Sequence, residues 1–137
     1  WRQDIRAICQ AVRQLARRHP GSFRAFVVFE QWVPSEHRVN EALYTALLSA
    51  GFSKVATVRA VRLLIAYVES FAVDEITGWL EPLTREDREN LAADLSGGAF
   101  PATASLLETI VRPDADAEFV FGLDVLIAGL DGVRASA

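Results

Sequence analysis

The chain has 137 residues, 51% of them hydrophobic and 23% charged, the usage of one globular domain with a full core, which excludes a disordered segment or a disulfide-stapled mini-protein. A net charge of −4 at pH 7 argues against a surface that coats nucleic-acid phosphates. The single cysteine, Cys9, cannot close an internal disulfide and points to a reducing compartment. Methionine is absent and the first residue is Trp1, so these residues are expected to be part of a longer chain with some of the function upstream. No apolar run reaches the roughly 20 residues that span a bilayer, the stretch from Val61 to Val73 being broken by Arg62, Glu69 and Ser70. No membrane association is expected.

The dominant period is helical. Trp1, Ile5, Ile8, Val12 and Leu15 recur at steps of three and four, with Arg2, Arg6, Arg13 and Arg17 on an opposite, solvated face. His19-Pro20-Gly21 ends this helix. Ser22 is the expected cap of a second helix, Phe23 to about Trp32, whose rings point all round and call for cover on every side. Val33-Pro34 ends it, and Ser35 is the expected cap of a third helix with the stripe Val39, Ala42, Leu43, Ala46, Leu47 and Ala50, stopped by Gly51. Ser53 opens a long fourth helix to about Ile76, apolar around most of its circumference.

A break around Gly78 and Pro82 precedes Thr84, a cap followed by acids, and a short helix to about Leu95. Ser96-Gly97-Gly98 is a joint, Pro101 to about Val111 another short helix, and Arg112-Pro113-Asp114 a further stop. The last helix runs from about Ala115 to Leu130. No strand is expected; the pattern predicts an all-α helical bundle of about seven helices.

The residues that carry chemistry are few. His19 and His37 sit at helix ends with no ligand set around them, and neither is placed to activate Cys9, which lies beside a core stripe. Asp114, Asp116 and Glu118 lack the glycine and distal glutamate of a calcium loop and read as acids at a helix start. With no nucleophile–base pair, metal set or phosphate loop, neither an enzyme nor a cofactor nor a metal is expected. Glu30 shares a face with Phe23, Phe26 and Val27. It reads either as the partner of an arginine on the first helix or as a polar anchor inside a ligand pocket. The fourth and last helices hold more apolar surface than a small monomer covers. Gly122 and Gly129, seven apart, would let a partner helix approach closely.

The run Phe119-Val120-Phe121-Gly122-Leu123-Asp124-Val125-Leu126-Ile127-Ala128-Gly129-Leu130 resembles the closing helix of TetR-family transcriptional regulators. The opening tryptophan with its arginine-rich helix and His19-Pro20-Gly21, and the turn Leu47 to Phe52 before a long helix, fit the same family. The resemblance is to the C-terminal domain of the tetracycline-repressor subgroup. It implies a cytoplasmic, bacterial regulator, a ligand-sensing domain that forms homodimers and controls operator binding by an N-terminal helix-turn-helix unit upstream of Trp1. The family's magnesium-holding histidine falls at Phe26 or Val27, neither of which ligates a metal, and its long-helix contacts fall near Val58, Val61 and Ile65. Together these readings predict an apolar pocket for a small lipophilic effector lined by Ile8, Val12, Phe23, Phe26, Val27, Glu30, Leu43, Leu47, Val58, Val61 and Ile65. They place the dimer interface at Arg62, Glu69, Phe121, Gly122, Val125 and Gly129. The alternative is a helical interaction module without a small-molecule ligand.

Overall fold

The structure is a computed structural model that describes residues 1–29 and 34–135. Its helices are α1 (Arg2–Arg18), α2 (Pro20–Phe29), α3 (Pro34–Ser49), α4 (Lys54–Ile76), α5 (Arg85–Leu95), α6 (Pro101–Ser105), α7 (Leu107–Ile110) and α8 (Ala115–Ala135). Among the described residues there is no strand, and the all-α class is as the periodicity predicts.

The long helix α4 is the hub, packing against α1, α2, α3 and α8. Its N-terminus is capped by Ser53, whose Oγ accepts from the Ala56 N–H at 3.3 Å. Ala60, Val61, Leu64, Val68 and Ala72 form its buried stripe at helical spacing. Ile5 and Cys9 of α1, Leu43 and Leu47 of α3, and Phe119, Leu123 and Ile127 of α8 complete one core around it. Each fully buried leucine or isoleucine there contributes about 1.5–3 kcal/mol over an exposed one. The turn between α3 and α4 is held by Gly51, whose φ of +89° is open to glycine at no steric cost. There the Gly51 N–H bonds to the Leu48 carbonyl and the Phe52 N–H to the Leu47 carbonyl, closing the helix end and delivering Phe52 into the core.

Several boundaries differ from the sequence reading. Helix α2 starts at Pro20, not after Ser22, because a proline at the first helical position needs no N–H partner and its fixed φ already suits a helix. Helix α3 starts at Pro34, one residue before the expected Ser35 cap. The expected end of the second helix at Trp32, and Glu30 with it, lie outside the described residues. The expected helix 101–111 is divided at Leu106, giving eight helices among the described residues rather than about seven. Just before the division, Ser105 Oγ donates to the Ala102 carbonyl at 2.7 Å, a bond that competes with the helical ladder. Helix α8 continues through Gly129 and Gly132 to Ala135. The excursion from α5 to α7 packs mainly on itself, α5 on α6 and α6 on α7.

The largest correction concerns Arg13. Its place in the arginine row of α1 suggested a solvated face, yet it is 2% exposed. Its Nε donates to Glu75 Oε2 at 2.9 Å and its Nη2 to Glu75 Oε1 at 2.6 Å, a two-pronged bond between α1 and the end of α4. Nη2 also donates to the Ala115 carbonyl at 3.1 Å and lies 2.8 Å from the Asp116 carboxylate at the start of α8. The guanidinium stacks over Phe119, 4.7 Å from the ring centroid. The hydrogen bonds it donates to Glu75 raise the Arg13 pKa further above its ordinary value, against the opposing effect of burial.

Two more arginines of the row also reach α8: Arg2 to Asp131 at 2.7 Å and Arg6 to Asp124 at 2.8 Å. Read with Arg13 and Asp116, the partners run in opposite directions along the two helices, so the row sets their antiparallel register. The two exposed pairs are screened by solvent and contribute little to stability beyond fixing this register.

Arg13→Ala leaves the largely buried Glu75 carboxylate with only the exposed Arg17, 3.9 Å away, and is expected to cost about 3 kcal/mol in urea unfolding, whereas Arg13→Met combined with Glu75→Leu recovers most of that loss. Equal losses in the two variants would show that the ion pair is not the source. For Cys9, burial pushes the thiol pKa up to about 12, so thiolate is scarce near pH 8. Labelling by a disulfide reagent in the native chain is expected to be at least about 100-fold slower than in the unfolded chain. Comparable rates would place Cys9 outside the core.

Candidate ligand cavity

Where α1, α2, α3 and α4 converge, the core gives way to a cavity of about 290 Å³. Helix α1 contributes Val12, Leu15 and the capping His19, at steps of three and four, so all three fall on one face. Helix α2 contributes Ser22, Phe23 and Phe26, α3 contributes Val39 and Asn40, and α4 contributes Ile65 and, one turn on, Glu69. The Phe23 and Phe26 rings lie 6.5 Å apart, tilted by 48°. Phe23 is anchored beneath by Ala16 and Ala72, so one ring belongs to the packed interior and the other is half-buried at the cavity. The wall is thus mainly apolar with four polar groups, the composition of a site that binds by burial and orients by a few contacts.

Of the expected lining residues, the structure brings Val12, Phe23, Phe26 and Ile65 together at this cavity. Leu43, Leu47 and Val61 are instead buried in the core around α4. Val27 packs beside the Ala16–Phe23–Ala72 cluster. Val58 is 38% exposed, and Ile8 faces a different depression. That depression is a wide surface groove between α1 and α3, bounded by solvent-facing residues such as Asp4, Glu41, Thr45 and Ser49. Its lining is more polar and more open to solvent, so the smaller cavity is the better candidate despite its volume.

Glu69, placed by sequence reading in the dimer interface, lines the cavity. Leu15 and Val39 carried a readable signal, since both belong to the apolar stripes of their helices. Asn40, Ser22 and His19 carried none, because a polar residue at a helix end or on a helix flank looks the same whether it meets water or a cavity.

The faces expected to pair with another copy are laid out as follows. Phe121 and Val125 of α8 are 72% and 55% exposed, and Ala128, Gly129 and Gly132 continue that side in solvent. On α4, Arg62 is exposed beside Leu63 and Ala66. The close approach expected of a partner helix at Gly122 is made by Tyr67 of the same chain: a Cβ there would lie 2.7 Å from Tyr67 Cζ. Tyr67 is held in place by stacking on Phe119 and by donating its hydroxyl to the Phe119 carbonyl at 2.9 Å. Gly129, by contrast, faces open space.

Among the described residues, no cluster of three or more His, Cys, Asp or Glu side chains could hold a metal ion, and no helix is long and apolar enough to cross a membrane. No curated protein matches the chain, and no solved structure matches it. A family model described as tetracyclin repressor-like, C-terminal domain, matches residues 1–134. That match takes in all four helices around the cavity and both exposed apolar faces, and the chain therefore belongs to the tetracyclin repressor-like C-terminal domain family.

Proposed function

We propose that this regulator domain senses a small lipophilic molecule in the cavity between α1, α2, α3 and α4, and pairs with a second copy through α4 and α8. In this reading it controls operator binding by a helix-turn-helix unit upstream of Trp1 in a cytoplasmic bacterial repressor. The observation that carries the reading is the mainly apolar, partly open cavity at the junction of four helices, within a chain that matches the family over residues 1–134. The domain's own net charge of −4 leaves contact with DNA phosphates to the upstream unit. Its chemistry fits a binder rather than an enzyme: the one thiol is buried and held protonated.

Coupling has a physical route. The α1–α2 junction, with His19 and Ser22, borders the cavity, and α1 is tied by Arg13 to the end of α4 and the start of α8. A ligand that draws α2 onto α1 acts on the same helices that carry the pairing faces. It would shift the pair toward one spacing by as much as its affinity for the two arrangements differs. The exposed apolar faces alone would equally suit a dimerisation module with no ligand. A thermal-shift screen with lipophilic molecules separates the two readings, since saturation to a hundred times Kd stabilises by about 2.7 kcal/mol.

The pairing reading expects light scattering to give a dimer mass at micromolar concentration. Phe121→Glu with Val125→Glu should yield a folded monomer, as both side chains are exposed in the single chain. A monomer before substitution would refute pairing through these faces. For the cavity, Phe26→Ala removes a half-buried wall and should weaken a screened ligand at least about fivefold while the fold is kept, a loss of apolar contact. Unchanged affinity would put the ligand elsewhere.

A further inference from the structure

We infer that α8 is self-complementary: it packs antiparallel on α8 of a second copy, and the Phe121 ring of each copy seats over Ala128 and Gly129 of the partner subunit. The inference rests on the pairing reading and deepens it, naming the register of the pair and the residues that set it.

The knob and its hole lie on the same helix. Phe121 is 72% exposed, a large ring left in water at the cost of its apolar area. Two turns further along, Ala128 and Gly129 are also exposed, and a Cβ added at Gly129 would meet nothing within 4 Å. In close helix pairing a side chain enters the gap between four residues of the facing helix, spaced i, i+3, i+4 and i+7. Val125, Ala128, Gly129 and Gly132 are such a set, and all four are exposed in the single chain. The middle two form the floor of the gap and carry only a methyl group and a hydrogen. The gap is therefore deep enough for a ring, where leucines would admit only an aliphatic side chain. Gly122 offers no such place, because Tyr67 of the same chain fills the space beside it.

Twofold symmetry selects a second copy as the occupant. In an isologous pair every contact occurs twice, i to j and j to i. Antiparallel helices that cross a twofold axis meet at positions equidistant from it. Val125 lies midway between Phe121 and Gly129 in the sequence. With Val125 at the axis, against the partner's Val125, both rings reach both gaps at once. Charge agrees. Between Phe121 and Gly132 the two acids turn to α1, Asp124 to Arg6 at 2.8 Å and Asp131 to Arg2 at 2.7 Å. The outer side of that stretch is left without charge, so two chains that each carry −4 meet least repulsion there.

The test is made on the 137-residue chain. By sedimentation equilibrium, Phe121→Ala and Gly129→Leu are each expected to raise the dimer dissociation constant at least about tenfold, as loss of a central aromatic anchor does. Together they should cost less than the product of the two, since a shortened knob no longer meets a filled gap. Circular dichroism checks that the helices are kept. A second arm is independent of these variants: Phe121→Cys combined with Gly129→Cys should give a covalent dimer on mild oxidation. The two positions are about 12 Å apart along one helix, too far for a disulfide within a chain, and Cys9 is buried. Phe121→Cys alone, and Phe121→Cys combined with Leu63→Cys on the exposed side of α4, should not cross-link. Unchanged association of Gly129→Leu, effects that multiply, no covalent dimer from the 121 and 129 pair, or one from the 121 and 63 pair would each overturn the register, while a wild-type dimer keeps the pairing reading. A wild-type monomer at micromolar concentration would remove both.

Discussion

The two-pronged bond between Arg13 and Glu75 is the constraint on which the rest of the arrangement depends. A guanidinium with 3% of its side chain exposed persists only if its donors are satisfied. The two elements that satisfy them, the end of α4 and the start of α8, are thereby brought to α1 at one point. The aromatic shelf of Phe71 and Phe119 covers the guanidinium face. Such a pair is a poor source of net stability compared with hydrophobic residues of the same volume, but it is demanding about geometry. Rotation of α1 about its axis, or a slide of α8 by one turn, would leave a buried charge without a partner.

That fixed point decides where the cavity lies. With Arg13 turned to α8, the neighbouring Val12 and Leu15 face α2 and α3, and the end of α1 carries His19 to the cavity margin. Pro20 then starts α2 at once, so the two helices are joined almost without a loop. Movement of α2 must therefore be felt by α1. In the proposed sensor reading, the linkage between cavity wall and pairing faces would consist of one short junction and one buried ion pair.

Helix α4 has a different neighbour on each side. It supplies the core stripe, carries Ile65 and Glu69 to the cavity, and leaves Leu63 and Ala66 in solvent. An apolar pattern that runs round most of a helix has no single inward face. This is why Glu69 reads from the sequence as an interface residue although it lines the cavity, and why Val58 reads as a cavity residue although it is partly exposed. The glycines divide similarly. Gly122 admits Tyr67 of its own chain, while Gly129 lies open on the side that carries Phe121 and Val125.

The sequence by itself determined the class and the order of the helices, because steps of three and four between apolar residues, the caps Ser53 and Thr84, and the stop at Gly51 are local signals set by backbone hydrogen bonding. It also marked four of the ten described lining residues, Val12, Phe23, Phe26 and Ile65, and put two more, Leu15 and Val39, on apolar stripes, since an inward stripe is readable even when what it faces is not. Only the tertiary structure decided which arginine of the row is buried, because Arg2, Arg6 and Arg13 share one helical pattern and differ only in the acids that α4 and α8 bring to them. It alone separated the packed Leu43, Leu47 and Val61 from the open wall, and it alone placed Glu69 among the residues of that wall. Burial of that kind depends on which neighbouring helix fills a given direction, and periodicity along one helix holds no information about its neighbours.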